Sequence, residues 1–245
     1  MRPDGPPSAA ETAFKLAARL RHRGVSEVAL LGWGRAGELI SSSETLIFLS
    51  RSPARDEPGI RADGGLRVRR ADASDAPRYA RDIGTDSSST FRHRLTRTTA
   101  CFVAELDGRL VHASWVTTSG AWTRELQLYV VPPQGESGTN AGADAYVYES
   151  FTRPEARGRG AYPRVLRHIS MWAAVADLSR VWVAVESVNA ASLKAITKAG
   201  FSPGFELSFG RRLGRLRTSR PVGPEAAVGR RMLEPRDTRF FGELR

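Results

Sequence analysis

The feature that most constrains the fold is a glycine-containing turn between an apolar run and a helix. Residues 153–166 read RPEARGRGAYPRVL, with Gly158 and Gly160 two positions apart. Because glycine has no side chain, the backbone here can approach another group closely. The first N–H groups of a helix have no intrahelical partner, and the helix dipole places about half a positive charge on them. The turn therefore predicts an anion site, and phosphate is the usual ligand of such sites.

A strand-like run precedes this turn and a helix-like run follows it. Residues 145–153 (AYVYESFTR) are rich in aromatic side chains, and residues 162–178 carry apolar side chains at helical spacing. A β-branched run follows at 180–187. Because a strand–helix–strand unit returns to the same sheet, we expect parallel pairing between Tyr146–Thr152 and Val181–Glu186.

The remaining segments predict a mixed chain of strands and helices. The clearest hairpin joins two β-rich runs across Asp107-Gly108, a dipeptide typical of tight turns. The other predicted elements are strands at 44–52, 66–71 and 123–131, helices at 72–84, 87–99 and 189–200 (the last capped by Asn189), and one or two strands at 201–213. The expected fold class is therefore α/β, with an α+β mixed sheet.

Composition divides the chain into an N-terminal extension (1–64), a domain (65–210) and a basic tail (211–245). The extension is expected to hold a disordered start, a helix at 11–24 and an extra strand, followed by a linker rich in Pro, Gly and charge. The tail has ten arginines against four acidic residues. It is either solvated or steers acidic partners, and both interpretations stay open.

Composition also narrows the class of protein. The formal net charge is +11, and the single cysteine, Cys101, lies in an apolar run where we expect a buried, unreactive side chain. The four histidines are scattered without zinc-like spacing, so no metal site is predicted. The chain has no run of about 18 apolar residues and no secretory core at its start, which predicts a cytoplasmic protein without a membrane span.

Two common phosphate motifs fit the turn poorly. A P-loop requires Lys followed by Ser or Thr after its last glycine, whereas Ala161 and Tyr162 stand here. A dinucleotide fingerprint requires a third glycine at position 163, which is Pro163.

A third interpretation is a family resemblance carried by two motifs. The chain resembles the GNAT superfamily, whose members take an acetyl or other acyl group from coenzyme A. In that family a strand leads into Pro-Glu-x-Arg-Gly-x-Gly-x-Gly and a helix, and the next strand is followed by Asn-x-x-(Ala/Ser) and a helix ending in Gly-Phe. The matching residues are Pro154, Glu155, Arg157, Gly158, Gly160, Asn189, Ser192, Gly200 and Phe201. The resemblance covers about Leu66 to Phe209, and it implies a twisted mixed sheet in which the parallel fourth and fifth core strands splay apart.

The resemblance also implies how acetyl-CoA, or another acyl-CoA, is held. The backbone of Phe151, Thr152 and Arg153 would pair with the pantetheine arm, and Asn189 and Ser192 would border the cofactor. The pyrophosphate would be held by the N–H groups of Arg157, Gly158, Arg159, Gly160, Ala161 and Tyr162.

Two residues depart from the family pattern. Tyr162 replaces the last loop glycine, as in family branches associated with bacterial surface polysaccharides. Ile196 stands where many members have a tyrosine that protonates the leaving thiolate, so that role has no candidate.

Two residues are candidates for the chemistry. Strand alternation places Glu149 and Phe151 on one face and Tyr148, Ser150 and Thr152 on the other. Glu149 is therefore predicted to be the base or the anchor of the substrate amine, although an ion pair with an arginine is the simpler alternative. His112 lies in a strand beside the proposed slot, where a structural role competes with a catalytic one. Trp115 and Trp122 are weaker candidates for a wall of the acceptor site.

The predicted function is transfer of an acyl group from coenzyme A to an amine, on a small molecule or an amino sugar. One alternative takes a long acyl chain from an acidic acyl carrier protein, which the positive charge would help to dock. Another is a non-catalytic module that binds acyl-CoA or nucleic acid, although no nucleic-acid motif is present. The oligomeric state stays open.

Overall fold

The computed structural model describes residues 43–55, 65–123, 126, 128–135, 141–212 and 215–233. The predicted disordered start, the helix at 11–24, most of the linker, part of the long loop at 132–144 and the end of the tail lie outside these ranges.

Ten strands and five α-helices make up the described residues. The strands are β1 (Ser43–Arg51), β2 (Arg67–Arg70), β3 (Thr99–Leu106), β4 (Arg109–Thr117), β5 (Ala121–Thr123), β6 (Leu128–Val130), β7 (Asp144–Thr152), β8 (Arg180–Glu186), β9 (Ser202–Arg212) and β10 (Arg215–Thr218). The helices are α1 (Ala76–Asp82), α2 (Ser88–Arg94), α3 (Ala161–Val175), α4 (Ala190–Lys198) and α5 (Ala226–Leu233). Among these described helices, none is long and apolar enough to cross a membrane.

Eight of the strands form one mixed sheet in the order β10-β9-β1-β8-β7-β4-β3-β2, and β5 and β6 form a separate ribbon. The pair β7–β8 is parallel, and the other neighbouring strands are antiparallel. The predicted α/β class with a mixed sheet is therefore confirmed.

Strand β1 lies in the middle of the sheet, although it precedes the predicted domain in sequence. Its residues Leu46–Arg51 pair with Val181–Glu186 of β8, and its other edge pairs with β9. Strand β10, from the predicted tail, pairs with β9, and helix α5, from the same segment, buries Met232 against the sheet. The described parts of all three predicted segments therefore contribute to one sheet, and residues 215–233 are not a solvated tail.

Helices cover both faces of the sheet. On one face, α3 and α4 bury Val165, Leu166, Ile169 and Ile196 against a core that includes Val147. The other face carries two clusters. The large side chains of the first, at α1 and α2, are Tyr79, Ile83, Phe91 and Trp115. Those of the second, at α5, are Phe48, Trp182, Phe205 and Met232. Tyr148 packs against both of these clusters, so it marks the line where they meet.

Local sequence chemistry accounts for several element boundaries. Asp107 and Gly108 adopt φ of 49° and 76°, the left-handed conformations that a two-residue hairpin turn requires, which confirms the predicted hairpin. The Oδ1 atom of Asn189 accepts a hydrogen bond of 3.1 Å from the amide of Ser192, which confirms the predicted cap of α4.

Candidate active site

The parallel strands β7 and β8 separate half-way along their length. Their register runs from Asp144 opposite Arg180 to Val147 opposite Val183 and then ends. Beyond that point β7 stays paired with β4 as far as Thr152, and β8 stays paired with β1 as far as Glu186. The predicted parallel pairing is therefore present at the start of both strands, and a gap opens between their carboxyl ends, where open sheets with parallel strands bind ligands.

A β-bulge at Glu149 reshapes β7 beside this gap. Residues Tyr148 and Phe151 lie opposite Trp115 and Ala113 of β4, so two residues of β7 face one residue of β4. Glu149 takes the left-handed φ of 48°, which is uncommon for a residue with a side chain.

The bulge overturns the predicted alternation of faces. Tyr148 packs beside Phe151 on the α1–α2 side of the sheet, rather than beside Ser150 and Thr152. Ser150 and Thr152 point to the α3 side, because they bond Ser114 and His112. The simple period of two fails since the extra residue shifts every later side chain to the other face. Glu149 nevertheless lies on the side opposite Thr152, as predicted.

The glycine turn joins the end of β7 to α3. Gly158 and Gly160 adopt φ of 78° and 76°, and Gly160 is the N-cap of α3 without a side-chain cap. A Cβ added at either glycine would have no atom within 4 Å. The backbone conformation therefore explains both glycines, and the space above them is open.

Four amides of this turn have no hydrogen-bond partner among the described residues: those of Gly158, Gly160, Ala161 and Tyr162. They lie at the start of a helix of fifteen residues, where the dipole adds positive charge. The side chains of Arg157 and Arg159 are exposed beside them. The geometry is that of an anion site.

Two of the predicted amide donors are already used within the protein. The amide of Arg157 donates to Pro154 O at 3.2 Å, and that of Arg159 donates to Ala156 O at 3.4 Å. These two residues therefore offer charge rather than backbone donors, because a short 3₁₀ turn at Pro154–Ala156 captures their amides.

Arg153 also differs from its predicted role. Its amide donates to Val111 O at 2.9 Å, and its guanidinium donates to Asp82 O at 2.6 Å and pairs with Glu155. In an antiparallel ladder, alternate residues turn both backbone groups toward the partner strand. The backbone of Thr152 therefore points away from β4 and into the gap, whereas Arg153 N–H does not.

Helix α4 begins on the other side of the gap, directly after β8. Asn189 and Ser192 lie at its first turn, where the Asn189 oxygen caps the Ser192 amide. Ile196 is fully buried in the core under α3 and α4. The position that carries a tyrosine in many GNAT enzymes thus presents no group to the gap.

Glu149 belongs to a charged cluster that the sequence did not reveal. Its Oε2 atom lies 2.7 Å from Arg94 Nη1, and the same nitrogen lies 2.6 Å from Asp86 Oδ2. The side chain of Glu149 is 39% exposed, whereas those of Arg94 and Asp86 are 7% and 0% exposed. Burial lowers the pKa of Arg94, but the charges of Glu149, Tyr148 and Asp86 outweigh it and hold the pKa well above its ordinary value. Two carboxylates therefore share one guanidinium.

Trp115 supports this cluster from below. The Arg94 guanidinium lies 4.0 Å from the centre of the Trp115 ring, and Trp115 itself is fully buried. Trp115 is therefore a platform for Arg94 and not an exposed acceptor wall. Trp122 stands on β5 and packs edge-on against Tyr129.

His112 lies in a chain of hydroxyl groups under the gap. Its Nδ1 atom is 2.6 Å from Thr152 Oγ1, its Nε2 atom is 2.8 Å from Ser114 Oγ, and Ser114 Oγ is 2.8 Å from Ser150 Oγ. The Tyr162 ring stacks on His112 with centroids 5.1 Å apart, and its hydroxyl bonds Ser150. Burial lowers the pKa of His112 from 6.5 to about 3, so the imidazole is neutral at physiological pH.

The single cysteine is buried, as the sequence predicts. Cys101 is fully buried in the α1–α2 cluster, and burial raises the pKa of its thiol. Within the described ranges, no group of three or more His, Cys, Asp or Glu side chains is placed to hold a metal ion.

Comparison with known families shows which of the three interpretations of the glycine turn applies. The model of the acetyltransferase (GNAT) family matches residues 69–201, which is more than half of the chain. The chain belongs to the GNAT family. The match runs from the second half of β2 past the end of α4 and includes the glycine turn and the Asn189 cap, whereas β1, β9, β10 and α5 lie outside it.

Solved structures similar to this GNAT chain are distant. An aminoglycoside acetyltransferase from an uncultured soil metagenomic sample, in complex with sisomicin, is 14% identical over 57% of this chain and 90% of its own, with a TM-score of 0.44. A putative acetyltransferase from Novosphingobium aromaticivorans is 19% identical over 69% of this chain and 64% of its own, with a TM-score of 0.44. A ribosomal-protein-alanine N-acetyltransferase from Brucella melitensis is 15% identical over 55% of this chain and 89% of its own, with a TM-score of 0.42. No curated protein matches the chain.

Sequence reasoning missed Arg94, Asp86, Ser114 and the side-chain role of Tyr162. Arg94 is one of many arginines, and only its burial distinguishes it. A recognisable signal existed for Ser114, because His112 and Ser114 share a strand face at a spacing of two residues.

Proposed function

We propose that this GNAT protein transfers an acetyl or other acyl group from coenzyme A to an amine acceptor, on a small molecule or an amino sugar. The observation that carries the proposal is the set of four amides, at Gly158, Gly160, Ala161 and Tyr162, that have no partner in the described part of the chain. They lie beside the β7–β8 gap, with open space at both glycines. Such amides at a helix start suit a doubly charged pyrophosphate.

The residues present fit an acyl-CoA molecule. The four amides would hold the pyrophosphate, and Arg157 and Arg159 would add positive charge. The backbone of Thr152 faces the gap and offers hydrogen bonds to the pantetheine amides, while Asn189 and Ser192 border the opposite side. When bound, acyl-CoA supplies an acyl group already activated as a thioester.

The charged cluster at Glu149 supports an amine as the acceptor. Glu149 is the member of this cluster with appreciable exposure, so its carboxylate can meet a ligand. A cationic ammonium is attracted to such a site, and a carboxylate there can accept its proton. Glu149 is accordingly assigned to holding and deprotonating the acceptor amine.

A single substitution in the turn tests acyl-CoA binding. In Gly160→Asp, a carboxylate about 4 Å from a phosphate oxygen would cost about 4 kcal/mol at an effective dielectric constant of about 20. Isothermal titration calorimetry with acetyl-CoA should therefore show a dissociation constant raised roughly a thousandfold.

Gly108→Asp is the matched control. Gly108 has the same φ of 76° as Gly160, and an added Cβ has no atom within 4 Å at either position. The control therefore carries the same backbone strain, but in the β3–β4 turn, and should bind acetyl-CoA like the wild type. Unchanged affinity in folded Gly160→Asp would remove the anion site from the proposal.

The alternative partners predict different results. A donor on an acyl carrier protein would acylate the acceptor while free coenzyme A bound weakly. Nucleic-acid binding would survive in Gly160→Asp and fall steeply with salt. Removing residues 211–245 is not a clean test of either, because it deletes β10 and α5 from the fold.

A further inference from the structure

The hydroxyl chain around His112 is most exposed at Ser150. His112 and Ser114 are fully buried, and Tyr162 and Thr152 are partly buried. Ser150 is exposed and lies in the half of β7 that has separated from β8. A buried polar network thus ends in one hydroxyl beside the gap.

The tautomer of His112 sets the direction of this chain. Burial keeps His112 neutral, with one ring N–H, and raises the pKa of Tyr162 to about 12, so its phenol keeps its proton. With the hydrogen on Nε2, Thr152 donates to Nδ1, Nε2–H donates to Ser114, and Ser114 donates to Ser150. The Ser150 oxygen then accepts from Ser114, and its own hydrogen is left for a group in the gap.

We propose that the Ser150 hydroxyl donates a hydrogen bond to the leaving sulfur of the acyl thioester, in place of the tyrosine that the family has at the position of Ile196. Ser150 is then a catalytic residue. His112, with its hydrogen on Nε2, and Ser114 are positioning residues that set the direction of its O–H bond, and Tyr162 is a positioning residue that stacks on His112 and bonds Ser150. The inference rests on the proposed acyl transfer and adds to it the group that stabilises the leaving thiolate.

The reaction balances without a further reactant. The amine nitrogen bonds to the carbonyl carbon, the carbon–sulfur bond breaks, and the electron pair of that bond goes to sulfur. Ser150 stabilises the charge on sulfur through its O–H group and is unchanged at the end. The proton that nitrogen loses, first taken by Glu149, reaches sulfur through solvent.

The bound thiol of coenzyme A provides a test that needs no acceptor. The thiolate absorbs in the ultraviolet and the thiol does not, so absorbance against pH gives the pKa of the bound thiol at saturating coenzyme A. A hydrogen bond to the thiolate lowers that pKa. In Ser150→Ala it should therefore rise by about one to two units relative to the wild type. The affinity for coenzyme A at acidic pH should stay the same, because the thiol is then neutral.

Tyr162→Phe tests the positioning role. Phenylalanine keeps the ring stacked on His112 and the helix-start amide but removes the hydroxyl that bonds Ser150. The pKa of the bound thiol should rise in the same direction by a smaller amount. Turnover of acetyl-CoA should fall about 10- to 100-fold in Ser150→Ala and less in Tyr162→Phe.

Ser208→Ala is the matched control. Ser208 stands on β9 with its hydroxyl 3.4 Å from Thr45 Oγ1 on the neighbouring strand, so it is also a strand serine bonded to a hydroxyl across the ladder. Ser208→Ala should leave the pKa of the bound coenzyme A thiol unchanged.

The possible failures are distinguishable. A wild-type protein that does not bind coenzyme A overturns the proposed function, and the inference with it. Equal thiol pKa values in wild type and Ser150→Ala, with coenzyme A bound to both, overturn the Ser150 role alone. A fall in affinity with an unchanged thiol pKa also overturns it, because Ser150 would then only shape the site.

Discussion

The buried imidazole of His112 should make the protein sensitive to mild acid. The folded-state pKa is lowered to about 3 by burial, against 6.5 for the unperturbed group. Between these values the unfolded chain binds a proton that the folded protein does not. Stability therefore rises with pH across this window, is fully present above about pH 6.5, and is lost as the pH falls below it.

The loss of stability depends on how many pH units are crossed below the pKa of the unfolded histidine. Each unit of pKa difference corresponds to about 1.36 kcal/mol. Lowering the pH from about 7.5 to about 5 crosses roughly 1.5 units below the pKa of 6.5 of the unfolded group. The free energy of unfolding should therefore fall by about 2 kcal/mol through His112 alone.

A comparison with a non-titrating variant isolates this contribution. In His112→Gln the amide side chain can still donate and accept hydrogen bonds, but it does not protonate in this range. Urea denaturation at about pH 7.5 and about pH 5 gives the free energy of unfolding of both proteins. The other histidines and the carboxylates titrate in both, so their effects cancel in the difference between the two pH dependences. The wild type should lose about 2 kcal/mol more than the variant.

Equal pH dependences in the two proteins would refute the reasoning. They would mean that His112 binds a proton equally well in the folded and unfolded states, and is therefore in contact with water. The direction assigned to the hydroxyl chain would fall with it, since that direction requires a neutral imidazole. A lower stability of His112→Gln at both pH values is expected and does not bear on the test.

Two further substitutions probe the acceptor side and the C-terminal helix. Glu149→Gln should lower turnover with an amine acceptor about 100-fold and leave the affinity for acetyl-CoA unchanged, because it removes the charge and the base but not the fold. Steady-state kinetics would measure this, with Glu155→Gln, a change of an exposed glutamate after β7, as the control. Equal turnover in wild type and Glu149→Gln would remove the catalytic assignment of Glu149. Gly229→Ala should lower the free energy of unfolding by about 1–3 kcal/mol, although alanine favours a helix by about 1 kcal/mol. The reason is that the new Cβ would lie 2.7 Å from the ring of Phe205, which is held by stacking on Phe48 at 4.4 Å. Thermal denaturation that showed no loss would contradict this packing.

Local chemistry made much of the fold predictable. The Asp107-Gly108 turn, the Asn189 cap and the glycine turn each require a particular backbone conformation that few residues accept, so the sequence shows them directly. The helical stripe of α3 was equally clear, because its apolar residues recur on one face.

The differences between the predicted and the observed structure have a common physical cause. The bulge at Glu149 depends on how β7 pairs with β4, which is a contact between residues distant in sequence, and it shifts the faces of Tyr148 and Ser150. The pairing of Arg94 with Asp86 and Glu149 likewise depends on where α2 packs on the sheet. Alternation and helical spacing describe one segment at a time, so neither can report such contacts.

The gap beside β7 depends on a strand outside the family match. Each of the two parallel strands is paired along its outer edge, β7 with β4 and β8 with β1, and these outer pairings continue after β7 and β8 have parted. If β8 lacked β1, its unpaired edge groups could be satisfied by closing onto the free half of β7, because a strand edge with open N–H and C=O groups tends to pair. By pairing with Glu186 through Leu46, β1 holds β8 in a sheet that twists away from β7. The 69–201 segment supplies the phosphate turn and β8, but the outer partner of β8 comes from residues 43–51. A fragment that began at the family match would therefore keep β8 without the strand that holds it away from β7.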